Sequence, residues 1–489
     1  MIAGPPSALS GVPEVFPRSP GDQASMSDMD KVLATAESGL DKSLERLFQL
    51  LRIPSISTDP AFDGDCRKAA QWVVDQLAGI GLDASLRETG GKPMVVAHGG
   101  PAPDGKTPRV LLYGHYDVQP ADPLDLWETD PFEPRLVDAP HGKEIVARGA
   151  ADDKGQFMTF VEALRAWAET TGSVPLPVTV LIEGEEESGS GNLGPFLEAN
   201  RDELRADLAL VCDTGMWDRG APGITTMLRG MVYDEVIVTA ASRDLHSGMY
   251  GGAAKNPINI LARIIANLHD ENGAVTVPGF YDGVPELPPE VKAQWDGLAF
   301  SDETFLGGVG LKEPAGEKDR STLEQIWSRP TCDANGIIGG YTGAGSKTVI
   351  ASRASAKISF RLVGSQDPQK IREAFRAFVR ERVPTDCKVE FIGHAASPAL
   401  VVDMNRPEMA KAAGALRAEF GKAPVMMGCG GSIPIVGDFK STLGMDSILI
   451  GFGLDDDRIH SPNEKYDLAS FRHGIRSWAR VFGALADRA

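Results

Sequence analysis

The order of the predicted elements constrains the fold of this 489-residue chain more than any other feature of its sequence. From residue 29 to residue 229, short apolar runs of strand length alternate with segments whose apolar residues recur at helical spacing. The same alternation returns from residue 400 to residue 489. Strands that alternate with helices predict a largely parallel sheet with helices on both faces. We therefore expect one α/β domain that is discontinuous in sequence.

The elements that carry this prediction are spread over both parts of the domain. The predicted strands are residues 110–113, 178–182, 208–212 and 447–450, and the predicted helices are residues 42–51, 67–80, 157–167, 409–420 and 470–485. In sheets of this kind, ligands bind at the carboxyl ends of the strands. Those strand ends are the first place to look for chemistry.

Between residues 230 and 399 the pattern changes to that of an inserted α+β domain. Residues 232–240 and 357–362 alternate in polarity like half-buried antiparallel strands, and residues 258–268 and 369–379 have helical spacing. Residues 275–346 are rich in glycine and proline and weakly periodic, so we expect loops that elaborate the small domain.

Composition excludes several classes of protein. A net charge of −19 argues against a nucleic-acid partner, and no apolar run approaches the ~18 residues of a membrane span. The proline-rich residues 1–28 lack the features of a secretory signal and are predicted to form a disordered tail. The five cysteines are scattered without CxxC spacing, which favours a reducing cytoplasm over a disulfide framework.

Histidine and carboxylate side chains follow the predicted strands. His115 ends the first of them, and Asp117 lies on the same face two positions later, where it can orient the imidazole. A polar strand end that meets solvent explains this pair equally well. Asp152 lies in a glycine-flanked loop before a helix, where the helix dipole alone would favour an acidic residue.

The acidic run from Glu183 to Glu187 is the least ordinary of these segments. Four acids in five residues repel one another unless cations neutralise them, although most charge runs are solvated faces. Two histidines and three carboxylates lie at or just past strand ends, which is a ligand set suited to a pair of zinc-like ions. These five residues are His115, Asp152, Glu187, Asp213 and His460. Glu186 then remains beside the metals and bound to neither.

Four ordered motifs resemble those of the M20 metallopeptidases. They are Gly-His-Tyr-Asp-Val-Gln-Pro at 114–120, Arg-Gly-Ala-Ala-Asp-Asp-Lys-Gly at 148–155, Glu-Glu-Ser-Gly-Ser at 186–190 and His-Ser-Pro-Asn-Glu at 460–464. The resemblance runs from about residue 30 to the C-terminus.

The resemblance implies a role for each matched residue. His115 and Asp213 would hold one divalent ion, and Glu187 and His460 the other. Asp152 would bridge the two ions, Asp117 would orient His115, and Glu186 would be the general base that acts on a metal-bound water or hydroxide. The ions are expected to be zinc, with manganese or cobalt as alternatives. In this family an aspartate at position 213 tends to accompany dipeptidase or aminopeptidase activity, whereas a glutamate accompanies carboxypeptidases and deacylases.

The inserted domain resembles that of the carnosinase and cytosolic nonspecific dipeptidase branch. The resemblance implies a lid and dimerisation domain that donates His246, in Asp-Leu-His-Ser-Gly-Met-Tyr-Gly-Gly at 244–252, to the partner subunit's site of a homodimer. It also implies that Arg353 and His394 bind the substrate's carboxylate and that Ser432 belongs to a substrate loop. Cys429 departs from the branch, where a glutamate is expected.

Three functions are compatible with these residues. The first is two-metal hydrolysis of the peptide bond in dipeptides or small peptides, which Asp213 and the segment around His246 favour. The second is an N-acyl amino acid deacylase or amidase of the same family, for which Cys429 leaves room. The third is a binding protein without activity, which the retention of Glu186 argues against.

Overall fold

The computed structural model describes residues 27–430 and 434–487. The predicted tail lies outside the described residues except for residues 27 and 28, and Asp28 begins the first helix. Ser432 also lies outside them.

The strands and helices are numbered in chain order. The strands are β1 Asp83–Arg87, β2 Met94–Gly99, β3 Val110–His115, β4 Arg135–Ala139, β5 Gly142–Val146, β6 Val178–Glu183, β7 Leu208–Val211, β8 Gly223–Leu228, β9 Gly230–Thr239, β10 Leu245–His246, β11 Thr331–Gly339, β12 Val349–Ile350, β13 Arg353–Leu362, β14 Lys388–Ser397, β15 Leu400–Val401, β16 Val425–Cys429, β17 Asp446–Leu449 and β18 Lys465–Asp467. The α-helices are α1 Asp28–Ser38, α2 Leu40–Leu51, α3 Asp63–Ala78, α4 Lys154–Thr171, α5 Leu193–Ala199, α6 Arg201–Leu204, α7 Ser247–Tyr250, α8 Pro257–Ala266, α9 Pro289–Asp296, α10 Asp302–Gly307, α11 Thr322–Trp327, α12 Pro368–Arg380, α13 Pro407–Phe420, α14 Pro434–Asp438 and α15 Leu468–Leu485.

Within the described residues, the largest sheet has nine strands in the order β1-β2-β6-β3-β7-β17-β8-β15, with β16 also paired to β8. The four central strands β6, β3, β7 and β17 are parallel. The strands on either side, β2 and β8, pair antiparallel to this centre. The prediction of a parallel sheet therefore describes the centre, and the sheet as a whole is mixed.

The parallel centre forms because its strands are apolar on both faces. Every residue of β3, β6 and β7 is buried, which requires cover on both sides of the sheet. Helix α4 packs against β3 and against α15. At that helix contact Trp167 and Trp478 are fully buried, and the Trp167 indole N–H donates to the Ala479 carbonyl at 2.9 Å.

A separate antiparallel sheet in the order β11-β13-β9-β14 is formed by residues that interrupt the large sheet in sequence. Buried and half-buried residues alternate along β9 and β13, and helices α8 and α12 pack on this sheet. The alternation arises because one face of the sheet packs on helices while the other does not. The predicted fold class, a discontinuous α/β domain with an inserted α+β domain, is confirmed.

The expectation of loops at residues 275–346 was wrong. This stretch contains α9, α10, α11 and β11. The helices are six to eight residues long, too short to show a periodic pattern in the sequence. Helices α9 and α11 pack against β16 of the large sheet, where the Trp295 indole N–H donates to the Met426 carbonyl at 2.7 Å. This segment therefore adds to the large domain as well as to the small one.

None of the helices in the described ranges is long and apolar enough to cross a membrane.

Candidate metal centre

Three neighbouring parallel strands bring three of the five predicted ligands to one edge of the large sheet. The expectation that all five lie at strand ends was wrong for Asp152 and His460, which lie in loops six residues after β5 and eleven residues after β17. β3 lies between β6 and β7, and His115 at the end of β3 is paired with Glu183 at the end of β6. Asp213 follows β7 by two residues, and Glu187 follows β6 by four. The carboxyl ends of adjacent parallel strands meet, so side chains that are far apart in sequence converge there.

The five predicted ligands form two triads that share Asp152. His115, Asp152 and Asp213 form one triad, and Asp152, Glu187 and His460 form the other, with the ligand atoms of each triad within 4.8 Å of one another. Asp152 Oδ1 lies 3.1 Å from His115 Nε2, and Asp152 Oδ2 lies 3.0 Å from His460 Nε2. His460 Nε2 also lies 3.2 Å from Glu187 Oε2. The two oxygens of one carboxylate thus face two different donor groups.

The charges of this cluster fit divalent cations. Burial, together with repulsion by the carboxylates of Asp152 and Glu186, raises the pKa of Asp213 to about 7. Burial opposes ionisation of Asp152 as well, but its hydrogen bonds with the two histidines outweigh that effect and lower its pKa. Hydrogen bonds to Asp152 and Glu187 raise the pKa of His460 to about 10. Crowded carboxylates with imidazole nitrogens between them are the donors that zinc-like ions prefer.

The backbone carbonyl and the carboxylate of Asp117 both lie beside the His115 ring. His115 Nδ1 lies 3.1 Å from the Asp117 carbonyl oxygen and 3.3 Å from its carboxylate, which leaves Nε2 facing the cluster. The Asp117 carboxylate also accepts the backbone N–H groups of Glu186 and Glu187 at 3.3 and 3.1 Å. One buried carboxylate thereby joins the end of β3 to the acidic segment after β6.

Glu464 holds the loop that carries Asp152, a role that the sequence analysis missed. Its carboxylate is fully buried and accepts a hydrogen bond from the Arg148 guanidinium at 2.7 Å. It also accepts the backbone N–H groups of Gly149, Ala151 and Asp152 at 3.0, 2.8 and 3.1 Å. The available signal was the presence of Arg148 and Glu464 inside two of the motifs, although nothing in the sequence pairs them.

The residues predicted in the inserted domain lie apart from this cluster. His246 is exposed on β10, where its Nδ1 accepts the Gly248 N–H at 3.0 Å. Arg353 is exposed at the start of β13, and the His394 ring lies 5.1 Å from the Tyr233 ring. Among the described contacts, His246, Arg353 and His394 form no hydrogen bond or ion pair with any of the five predicted ligands.

A cavity of about 910 Å³ opens beside the cluster. Asp152 and Asp213 form part of its lining. The remaining wall includes Trp217, Phe300 and Trp327. The cluster is therefore accessible from a space large enough for a small organic molecule.

Known proteins are similar to this chain in sequence and in fold. The family model described as Peptidase family M20/M25/M40 matches residues 111–484 of the chain. The Cys-Gly metallodipeptidase dug1 of Schizosaccharomyces pombe is 30% identical over 473 residues, which cover 94% of this chain and 98% of that protein.

Two solved structures are similar over nearly their whole length. The structure of human carnosine dipeptidase 1 has a TM-score of 0.74 at 26% identity and covers 94% of this chain and 99% of that one. The M20 family metallo-carboxypeptidase Sso-CP2 from Sulfolobus solfataricus has a TM-score of 0.77 at 29% identity and covers 91% of this chain and 99% of that one.

Proposed function

The chain belongs to peptidase family M20/M25/M40, and from this membership we propose that it is a two-metal dipeptidase that hydrolyses the peptide bond of dipeptides and small peptides. The observation that carries the proposal is Asp152, whose two carboxylate oxygens face His115 and His460. The names of the relatives support the substrate class, because one acts on Cys-Gly and another is a carnosine dipeptidase.

The donor set supports the assignment of two divalent ions, zinc first, with manganese or cobalt as alternatives. In this proposal His115 and Asp213 hold one ion, Glu187 and His460 hold the other, and Asp152 bridges them. When bound, such ions polarise a carbonyl oxygen and lower the pKa of a water from ~15.7 toward ~7.

Glu186 is the proposed general base. Burial, reinforced by the nearby carboxylates of Glu187 and Asp152, raises its pKa, which makes it a better proton acceptor. Its backbone is held by Asp117 while its carboxylate is left outside both ligand triads. Glu186 takes a proton from the attacking water and then delivers it to the leaving amine.

In this proposal the inserted domain, residues 230–399 of the chain, supplies the other groups that act on the substrate. We assign His246 to the site of a partner subunit in a homodimer, because its exposed ring has no contact with the cluster of its own chain. There it stabilises the negative charge that develops on the carbonyl oxygen. Arg353, His394 and Ser432 are assigned to the substrate. The buried thiols of Cys66, Cys212 and Cys332 support a cytoplasmic location.

The test is release of free amino acid from a panel of dipeptides by the metal-loaded protein, with N-acyl amino acids measured in parallel. Glu186→Ala is the matched control, because it leaves the five ligands in place. Cleavage of dipeptides that the control abolishes supports the proposal. Cleavage of the N-acyl compounds alone would replace it with a deacylase, the function for which Cys429 at the cavity leaves room.

A further inference from the structure

We propose that the cavity beside Asp213 is a side-chain subsite for a bulky apolar or aromatic group on the substrate residue that precedes the cleaved bond, with Trp217, Phe300 and Trp327 as specificity-determining residues. This inference rests on the proposed peptidase activity and names the substrates that the site selects.

The wall of the cavity is an aromatic cluster next to the metal ligands. The ring centroids of Trp217 and Trp327 are 5.7 Å apart, and those of Trp217 and Phe300 are 6.3 Å apart. Trp327 is 9% exposed, and Trp217 and Phe300 are half-buried, so each ring presents part of its surface to the cavity. Rings at these distances offer both edges and faces to an aromatic ligand.

The wall is rigid because other apolar side chains pack behind it. Trp295 contacts Trp327 with ring centroids 5.0 Å apart and is 3% exposed. Val291, which does not line the cavity, belongs to the same buried cluster. A supported wall does not collapse into an empty pocket, so the cavity keeps space for a side chain of the substrate.

The volume of the cavity exceeds what a small dipeptide needs. At about 910 Å³ it lies near the upper end of the ~300–1,000 Å³ found for pockets that bury drug-sized ligands. Water held against Trp and Phe surfaces has few hydrogen-bond partners, and an apolar side chain that replaces it is favoured. A glycine or alanine in the same position leaves that surface wet.

Charge determines which end of the substrate enters the cavity. Outside the five predicted ligands, whose charge the bound ions offset, the lining carries exposed carboxylates at Asp218 and Asp455, and Arg458 is the one cation among the described lining residues. A residue that bears the free C-terminal carboxylate is repelled by this rim. The residue on the other side of the cleaved bond carries no carboxylate at its backbone and is the one admitted.

The experiment compares dipeptides that differ in one side chain. We measure kcat/KM for Ala-Gly, Leu-Gly and Phe-Gly, and for the reversed pairs Gly-Ala and Gly-Phe, with the metal-loaded wild-type protein. We expect kcat/KM for Phe-Gly to exceed that for Ala-Gly by about 100-fold. This factor lies in the range of about 10–200-fold by which a hydrophobic pocket discriminates even between side chains that differ by one methylene. The ratio of kcat/KM for Gly-Phe to that for Gly-Ala should be much smaller.

Variants separate the cavity wall from the packing behind it. Trp327→Ala should lower the Phe-Gly to Ala-Gly ratio by about tenfold or more. Trp295→Phe changes the same cluster but does not line the cavity, and it should keep the ratio of the wild type. If Trp327→Ala fails to fold, Phe300→Ala tests the same wall from a half-buried position.

A binding measurement distinguishes failure of this inference from failure of the proposed activity. Because Trp217 and Trp327 line the cavity, L-phenylalanine amide, which has no carboxylate, should change the intrinsic tryptophan fluorescence at far lower concentration than L-alanine amide. Fluorescence binding without any dipeptide hydrolysis would reject the activity and keep the subsite. Equal hydrolysis of Ala-Gly and Phe-Gly, a preference confined to the second residue, or a ratio unchanged in both wall variants would overturn the inference.

Discussion

Replacement of Glu464 by glutamine should release the Asp152 loop, because no amide orientation can satisfy the donors around it. Each oxygen of Glu464 accepts two hydrogen bonds: Oε1 from Ala151 and Asp152, and Oε2 from Arg148 and Gly149. An amide nitrogen accepts none, so two donors lose their acceptor in either orientation. The Arg148 guanidinium, whose side chain is 1% exposed, also loses its counter-charge.

The magnitude follows from these losses. Two buried donors left without an acceptor cost about 1–3 kcal/mol each, and removal of one partner from a buried ion pair costs about 3–5 kcal/mol in total. We therefore expect Glu464→Gln to lower the free energy of unfolding by about 3–5 kcal/mol. Because the backbone of Asp152 is among the donors released, metal affinity should fall about 10–100-fold as well.

The assay is urea unfolding of the metal-free protein, together with titration of zinc followed by calorimetry. Burial raises the pKa of Glu464 to about 7, so the measurements are made at pH 8, where it is ionised. Glu162→Gln is the matched control, because Glu162 is a buried partner of Arg46 and does not contact the Asp152 loop. The control should lose stability and retain zinc affinity. Equal zinc affinity in Glu464→Gln and the wild type would refute the reasoning.

Three further predictions concern other parts of the molecule. Asp117→Asn should weaken zinc binding about 10–100-fold, since it disturbs the partner of His115 Nδ1; calorimetry that shows wild-type affinity would contradict the orienting role. Three basic side chains of α15 overcome the effect of burial and lower the pKa of Glu419 from 4.5 to about 2, so its contribution is present above pH 4.5 and is lost as the pH falls toward 2. Glu419→Gln should thus cost about 2 kcal/mol at pH 7, after allowance for partial solvent screening. Urea unfolding at decreasing pH should show the difference from the wild type shrinking steadily between pH 4.5 and pH 2.5, and a difference at pH 2.5 as large as that at pH 7 would exclude this linkage. Mixed preparations of His246→Ala and Glu186→Ala should recover part of the dipeptidase activity through hybrid dimers, and recovery that is absent despite subunit exchange would argue against a shared site.

Much of the fold followed from local patterns. The fully apolar runs of β3, β6 and β7 mark strands buried on both faces, and the alternating residues of β9 and β13 mark strands with one buried face. The first pattern is an uninterrupted apolar run and the second alternates every two residues, and both can be recognised from the sequence without tertiary information. The predicted fold class and the predicted family are confirmed on this basis.

The candidate site divides in the same way. The rule that ligands collect at strand ends predicted that His115, Glu187 and Asp213 lie close together, and in the structure β3, β6 and β7 are parallel neighbours. The roles of these residues remain predictions until the metal is measured. Arg353 and His394 were assigned to the substrate by resemblance, and their exposed positions leave that assignment to experiment.

The sequence by itself predicted the convergence of His115, Glu187 and Asp213, since a strand fixes both the direction and the face of the residue at its end. Only the tertiary structure decided what surrounds them. The helices α9 and α11 are too short to show a periodic pattern in the sequence. Their packing on β16 places Trp327, within a stretch predicted as loops, in the aromatic wall of the cavity. The contact of Glu464 with the Asp152 loop spans more than 300 residues. Such contacts depend on how separate elements pack, and packing between distant segments leaves no period in the sequence.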